Sequence, residues 1–324
     1  MHMLETRNGK VSMAYAYRSE ADTPWHKLGT KVSNDLTPHQ MMVAAGLDWR
    51  VERVPLFADY NDKKVQTRAE ALIRDVDGEV LSIVTDTWNP VQNEEAFEFF
   101  HEYVMAGDME MDTAGSLRGG KHIWALAKMK DSFFEIFGGD RTEGYLLFSN
   151  PHQFGKGITI QMTGIRTVCQ NTITMALNSG SKTAYKASHR RAFDADQVKE
   201  TMGIATSKLE QYKEAMLFLG SKQAKGEDIV TYLNRIFPVT SGAKAEEGKI
   251  ASLPARKVFD VLESQPGANF AEGTWYQALN AVTYYTNHLA GRSADNRVSS
   301  LWFGVNRDKN INAVNLALEM ANAS

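Results

Sequence analysis

The sequence predicts a mixed α+β protein: an antiparallel β-sheet with packed helices in its first part, and a mostly helical second part. Three observations predict this. Strand-like runs separated by turn residues crowd the first part of the chain. Helical apolar periods take over after it. Between them lies a basic stretch without an acid, residues 181–191 (SKTAYKASHRR). We place the domain boundary there, with a β-rich α+β domain over residues 1–192 and a helical domain over 193–324.

The elements follow in order. Residues 36–46 (LTPHQMMVAAG) predict a short helix, with Thr37 as N-cap, Pro38 in the first turn and Gly46 at the end. Residues 49–57, 69–74 and 80–85 read as strands, and Asp77-Gly78 between the last two marks a hairpin. Residues 93–105 (NEEAFEFFHEYVM) predict a helix with Asn93 as cap, acids in the first turn and a stripe of Phe97, Phe100, Tyr103 and Val104. Further strands are expected at 123–129, 145–148 and 158–163.

In the second part, Val198, Met202, Ala205, Leu209, Tyr212, Met216 and Leu219 keep alternating steps of four and three. That is an a/d seam of about three heptads, opened by Asp194 and Gln197 and closed by Gly220. It suits either packing on its own domain or a contact between subunits. Residues 238–249 read as a loop, and 254–264, 275–289 and 310–321 as helices.

Hydrophobic residues at 43% and charged residues at 23% suit a folded globular chain and exclude a disordered or fibrous one. The formal net charge of -3 means that a polyanion would have to be met by a local patch. A single cysteine, Cys169, rules out an internal disulfide and fits a reducing compartment. The first residues show no apolar signal segment, and no apolar run reaches bilayer length, so no membrane partner is expected.

Catalytic patterns fail on named residues. GSLRGGKH (115–122) fits the spacing of a phosphate-binding loop, but His122 stands where a Mg²⁺-binding hydroxyl is needed, and a strand follows instead of a helix. It reads as a Gly-rich hairpin tip carrying Arg118 and Lys121, which could still touch phosphates. The eight histidines form no metal-ligand spacing, and no cofactor is implied. His101 reads as a surface histidine, Cys169 as a small buried residue, and Asp108, Glu110 and Asp112 as solvated loop acids. No catalytic residue is assigned.

The strongest polyanion signal is the basic stretch. Lys182, Lys186, Arg190 and Arg191 with His189 would track a phosphate backbone, and Tyr185 would stack on bases. Lys156 and Arg166 lie just upstream. The other reading of the stretch is a solvated linker between the two halves.

Four segments carry a family resemblance: TPWHKLGTKV (23–32), NPVQNEEAFEFF (89–100), GIRTVCQNT (164–172), and NAVTYYTNH with LWFGVNRDKNINAVNLAL (280–318). Their order and spacing resemble the phage- and plasmid-like family called domain of unknown function 932. The resemblance implies a mobile-element protein acting in a bacterial host cytoplasm, and no established catalytic residues. The layout of strands and helix also looks like the β-β-β-α core of single-strand annealing recombination proteins, which form rings. The leading expectation is therefore a homo-oligomer, with a ring as the form that this likeness implies, that binds single-stranded DNA in recombination or replication. The alternatives are a module that binds a host defence complex and an enzyme acting on nucleotides.

Overall fold

The computed structural model describes residues 6–7, 10–18, 29–168, 171–174, 184–189, 210–239 and 248–323. Cys169, Lys182, Arg190, Arg191 and the first half of the heptad seam (Val198 to Leu209) lie outside the described residues. The chain is mixed α+β, as the sequence predicts. Its strands are β1 (Thr6–Arg7), β2 (Lys10–Val11), β3 (Met13–Ala16), β4 (Thr30–Val32), β5 (Val51–Tyr60), β6 (Lys63–Arg74), β7 (Val80–Thr85), β8 (Met109–Leu117), β9 (His122–Glu135), β10 (Arg141–Pro151), β11 (Ile158–Arg166), β12 (Asn171–Thr174) and β13 (Ala184–Ala187). Its helices are α1 (Pro38–Ala44), α2 (Asn93–Met105), α3 (210–221), α4 (Gly226–Ile236), α5 (Leu253–Asp260), α6 (Trp275–Tyr284), α7 (Ala294–Phe303) and α8 (Val305–Ala323).

The main sheet has eight strands, in the order β12-β11-β10-β9-β8-β3-β4, with β13 also paired to β11. β11 pairs antiparallel with β12 along its last residues and with β13 along its first. β3 and β8 are antiparallel, while the edge pair β3–β4 is parallel. β5, β6 and β7 form a separate antiparallel sheet.

The chain divides into two units, and not by one cut near residue 192. The first unit comprises 1–130, 145–161 and 184–202, and the second 131–144, 162–183 and 203–324. The helical residues after 203 thus share a unit with strand segments.

In the first unit, α1 and α2 pack on one another and over β8. Thr37 caps α1 in a capping box with Gln40. The α2 cap is Gln92, whose backbone N–H donates to the Glu95 carboxylate at 3.1 Å. Asn93, expected as that cap, is instead buried in the first turn. Phe97, Phe99 and Phe100 are buried, and Phe99 and Phe100 meet Phe148 of β10. Glu110 and Asp112 sit in β8, not in a loop, and hold Arg18 at 3.2 and 2.8 Å. Burial raises the Asp112 pKa even against the Arg18 charge. β5 and β6 turn at Asn61 and Asp62, both left-handed (φ +49° and +57°), the geometry that suits a hairpin's twist. Phe57, Tyr60, Val65 and Ile83 of this sheet are exposed.

In the second unit, Tyr212, Met216 and Leu219 of α3 are buried, and Tyr212 meets the Phe134 ring. This half of the heptad seam packs within its own unit. α3 runs on to residue 221, so Gly220 does not close it. A Cβ at Gly220 would lie 2.2 Å from Phe137, so the glycine allows that close approach. α4 and α6 pack on α8, where the Tyr232 hydroxyl donates to the Ala313 carbonyl at 3.1 Å. α6 continues into one π-helical turn, Tyr285–Leu289.

Candidate nucleic-acid interface

The first unit carries a cleft of about 340 Å³ lined by Trp88, Phe154, Gly155, Lys156, Gly157, Lys186, Ala187 and Ser188. Strand register builds it. β13 runs beside the start of β11, with Thr159 opposite Lys186 and Ile160 opposite Tyr185. Alternation sends Tyr185 inward, 8% exposed, and leaves Lys186 in solvent. The turn before β11, QFGKG (153–157), comes close to the end of β13. A Cβ on Gly157 would meet the Ala187 carbonyl oxygen at 2.6 Å, so only glycine permits this approach. The turn is held by Phe154 N–H donating to Ser82 Oγ at 3.1 Å and Lys156 N–H to the Gln153 carbonyl at 3.1 Å.

Among the described residues no acid lines the cleft, and neither Lys156 nor Lys186 makes an ion pair. The β8–β9 hairpin tip lies alongside, because the Lys121 carbonyl accepts from His152 N–H at 2.9 Å. That tip is the Gly-rich turn expected from the sequence, a four-residue loop between Leu117 and His122 with Arg118 left-handed at φ +57°. Arg118 and Lys156 both bring positive charge to bear on the His122 ring.

Three buried histidines stand behind this basic end. His122 Nε2 hydrogen-bonds Ser149 Oγ at 2.6 Å. His152 Nε2 meets Asn93 Oδ1 at 3.0 Å, while Asn93 Nδ2 donates to the Leu47 and Trp49 carbonyls at 2.9 and 3.3 Å. Since Asn93 Oδ1 can only accept, the His152 proton sits on Nε2. His189 stacks on Trp88 with ring centroids 4.2 Å apart. Burial is the main reason that all three are neutral, with pKa lowered to about 3 for His122, about 3 for His152 and about 4 for His189. For His189 the backbone of Pro151 and Asn89 pulls the other way. His189, 1% exposed and stacked on Trp88, lies inside the protein.

Arg166 has a different fate, in the second unit. It is fully buried and bidentate to Asp140, Nε to Oδ1 at 2.6 Å and Nη2 to Oδ2 at 2.8 Å. The Tyr276 hydroxyl donates to the same Oδ2 at 2.7 Å, and the Gly267 carbonyl accepts from Arg166 Nη2 at 3.2 Å. The Tyr276 hydroxyl pKa is raised well above its ordinary value, first by burial. A Cβ on Gly267 would stand 2.7 Å from the guanidinium, which explains the left-handed glycine there (φ +75°). Arg166 holds strand β11 to this interior and cannot reach an external phosphate.

Of the residues expected at the interface, the structure thus brings Lys156 and Lys186 together, with Arg118 and Lys121 on the adjoining tip. It places Tyr185, His189 and Arg166 inside. Phe154, 54% exposed at the cleft, was not foreseen, although an aromatic and a lysine between glycines after a strand were visible in QFGKG. Among the described residues, no group of His, Cys, Asp and Glu could hold a metal ion, and no helix is long and apolar enough to cross a membrane.

The family model of the domain of unknown function DUF932 matches residues 80–302, more than half of the chain. The chain belongs to the DUF932 family. No curated protein and no solved structure matches it. Several segments of the DUF932 resemblance meet in the interior of the second unit. Asn171 Nδ2 donates to Thr283 Oγ1 at 3.0 Å, and His288 Nε2 meets Asn171 Oδ1 at 2.9 Å. Thr286 Oγ1 donates to Asn310 Oδ1 at 2.8 Å. These motif residues form a buried polar network around the π-helical turn.

Proposed function

We propose that this DUF932 protein binds nucleic acid, single-stranded DNA foremost, as a phage- or plasmid-encoded component of recombination or replication in a bacterial cytoplasm. The observation that carries the reading is the cleft, without an acid among its described lining residues, that Lys156 and Lys186 share beside the Arg118 and Lys121 tip. In a chain of net charge -3, such a patch is where a phosphate backbone would be met. Lys182, Arg190 and Arg191, expected as contacts from the sequence, flank β13 in sequence.

Binding should fall steeply with salt, because each cation on a phosphate releases counterions. Labelled single-stranded oligonucleotide that stays free at low salt and micromolar protein would remove the reading.

Strand annealing and self-association belong to the same proposal. The heptad residues Tyr212, Met216 and Leu219 do not support a subunit contact, since they face their own unit. The exposed Tyr60 and Val65 do, because the register sets them on one face of the β5–β6 hairpin, and exposed apolar side chains side by side commonly mark an interaction face. The mass in solution, with and without single-stranded DNA, tests assembly and binding together. A monomer under both conditions would refute the oligomer.

A further inference from the structure

Phosphate attraction alone does not require an aromatic ring in the mouth of the cleft. Yet Phe154 is 54% exposed there, in the same turn as Lys156. Its position is set by the hydrogen bond of its N–H to Ser82 Oγ at 3.1 Å and by the left-handed Gly155 that follows (φ +75°). A Cβ on Gly155 would have nothing within 4 Å, so the turn that carries the ring is open at this position. Trp88 is almost wholly buried and backed by His189, which leaves Phe154 as the ring with a face to offer. At about 340 Å³ the cleft lies at the small end of the roughly 300–1,000 Å³ range of ligand clefts. Among the described lining residues, Lys156 and Lys186 carry the charges.

We propose that the cleft takes one unpaired nucleotide, with the base against Phe154 and a phosphate between Lys156 and Lys186. The inference rests on the nucleic-acid reading and narrows it. A base inside a duplex has no free face, whereas an unpaired base can stack on an aromatic ring irrespective of its identity. The cleft therefore selects single strands and is tolerant of sequence.

The test compares three 20-mer probes at one salt concentration: oligo(dT), an abasic deoxyribose-phosphate polymer, and a duplex. A stacked base contributes roughly 5- to 150-fold in affinity, from the usual effect of removing one aromatic contact. The wild type should bind oligo(dT) more tightly than the abasic polymer by a factor in that range. Phe154→Ala should erase the difference and leave abasic binding unchanged, while Phe154→Trp should keep it. Equal wild-type binding of oligo(dT) and the abasic polymer overturns the inference but leaves a purely electrostatic interface standing. An unchanged preference in Phe154→Ala also overturns it. Absence of binding to all three probes defeats the nucleic-acid reading as well.

Discussion

Lys156 and Arg166 are ten residues apart on one strand and its leading turn, and both looked like phosphate contacts in the sequence. Lys156 stands in solvent at a cleft with no acid among its described lining residues. Arg166 is sealed inside the second unit against Asp140, Tyr276 and the Gly267 carbonyl. The difference lies in the partners. A lysine can expose its charge and cost nothing, whereas a buried guanidinium demands a carboxylate in good geometry. Two of the segments that carry the family resemblance, residues 164–172 and 280–318, meet in the interior of the same unit. Shared motifs in this chain thus report an interior that must be built, while the proposed ligand contacts sit on less conspicuous turns.

The comparison can be broken most forcefully at the ion pair. Asp140→Ala leaves Arg166 buried and uncompensated and should destabilise the protein by about 3–5 kcal/mol in chemical denaturation. Replacing both partners, Asp140→Leu with Arg166→Met, should cost less than Asp140→Ala alone. A loss below about 1 kcal/mol for the single variant would mean that the pair does not hold the interior.

The histidines behind the basic end give the next effect. Their folded pKa values of about 3, about 3 and about 4 lie below the unfolded value of about 6.5. Between those limits the unfolded chain binds more protons, so stability is full above about pH 6.5 and is lost as the pH falls towards 4. Each histidine contributes up to about 1.4 kcal/mol per pH unit in that window. A thermal midpoint that is flat from pH 7 to 5 would contradict this, and His122→Asn should show a shallower fall than the wild type.

Asn93 comes third. It ties Leu47, Trp49 and His152 together, and Asn93→Ala should cost about 1–3 kcal/mol because buried partners lose their hydrogen bonds. By contrast, Lys156→Ala with Lys186→Ala should change stability by no more than about 0.5 kcal/mol, as exposed substitutions usually do. Equal thermal midpoints for this double variant and the wild type keep any binding defect interpretable.

Much of the fold was legible because local signals agreed with it. The α2 limits follow from the acids at its start and its apolar stripe, and Asp77-Gly78 gave the β6–β7 turn, where the Gly78 N–H donates to the Arg74 carbonyl at 2.9 Å. What was hidden depended on distant partners. Glu110 and Asp112 looked like loop acids because Arg18, which neutralises them, lies more than 90 residues earlier. Arg166 looked available because Asp140 sits in a glycine-flanked turn that announces nothing. Tyr185 was misplaced for a local reason: β13 has only four residues, too short to show its alternation until β11 sets the register.

The central claim is that the Lys156 and Lys186 cleft meets a phosphate backbone. It is tested most directly by measuring the affinity for single-stranded DNA against salt, for the wild type and the Lys156→Ala, Lys186→Ala double variant. Each single-strand phosphate contact contributes about 0.7 to the slope of log affinity against log salt, so the variant's slope should be shallower by about 1.4. The same slope and the same affinity in both proteins would contradict it.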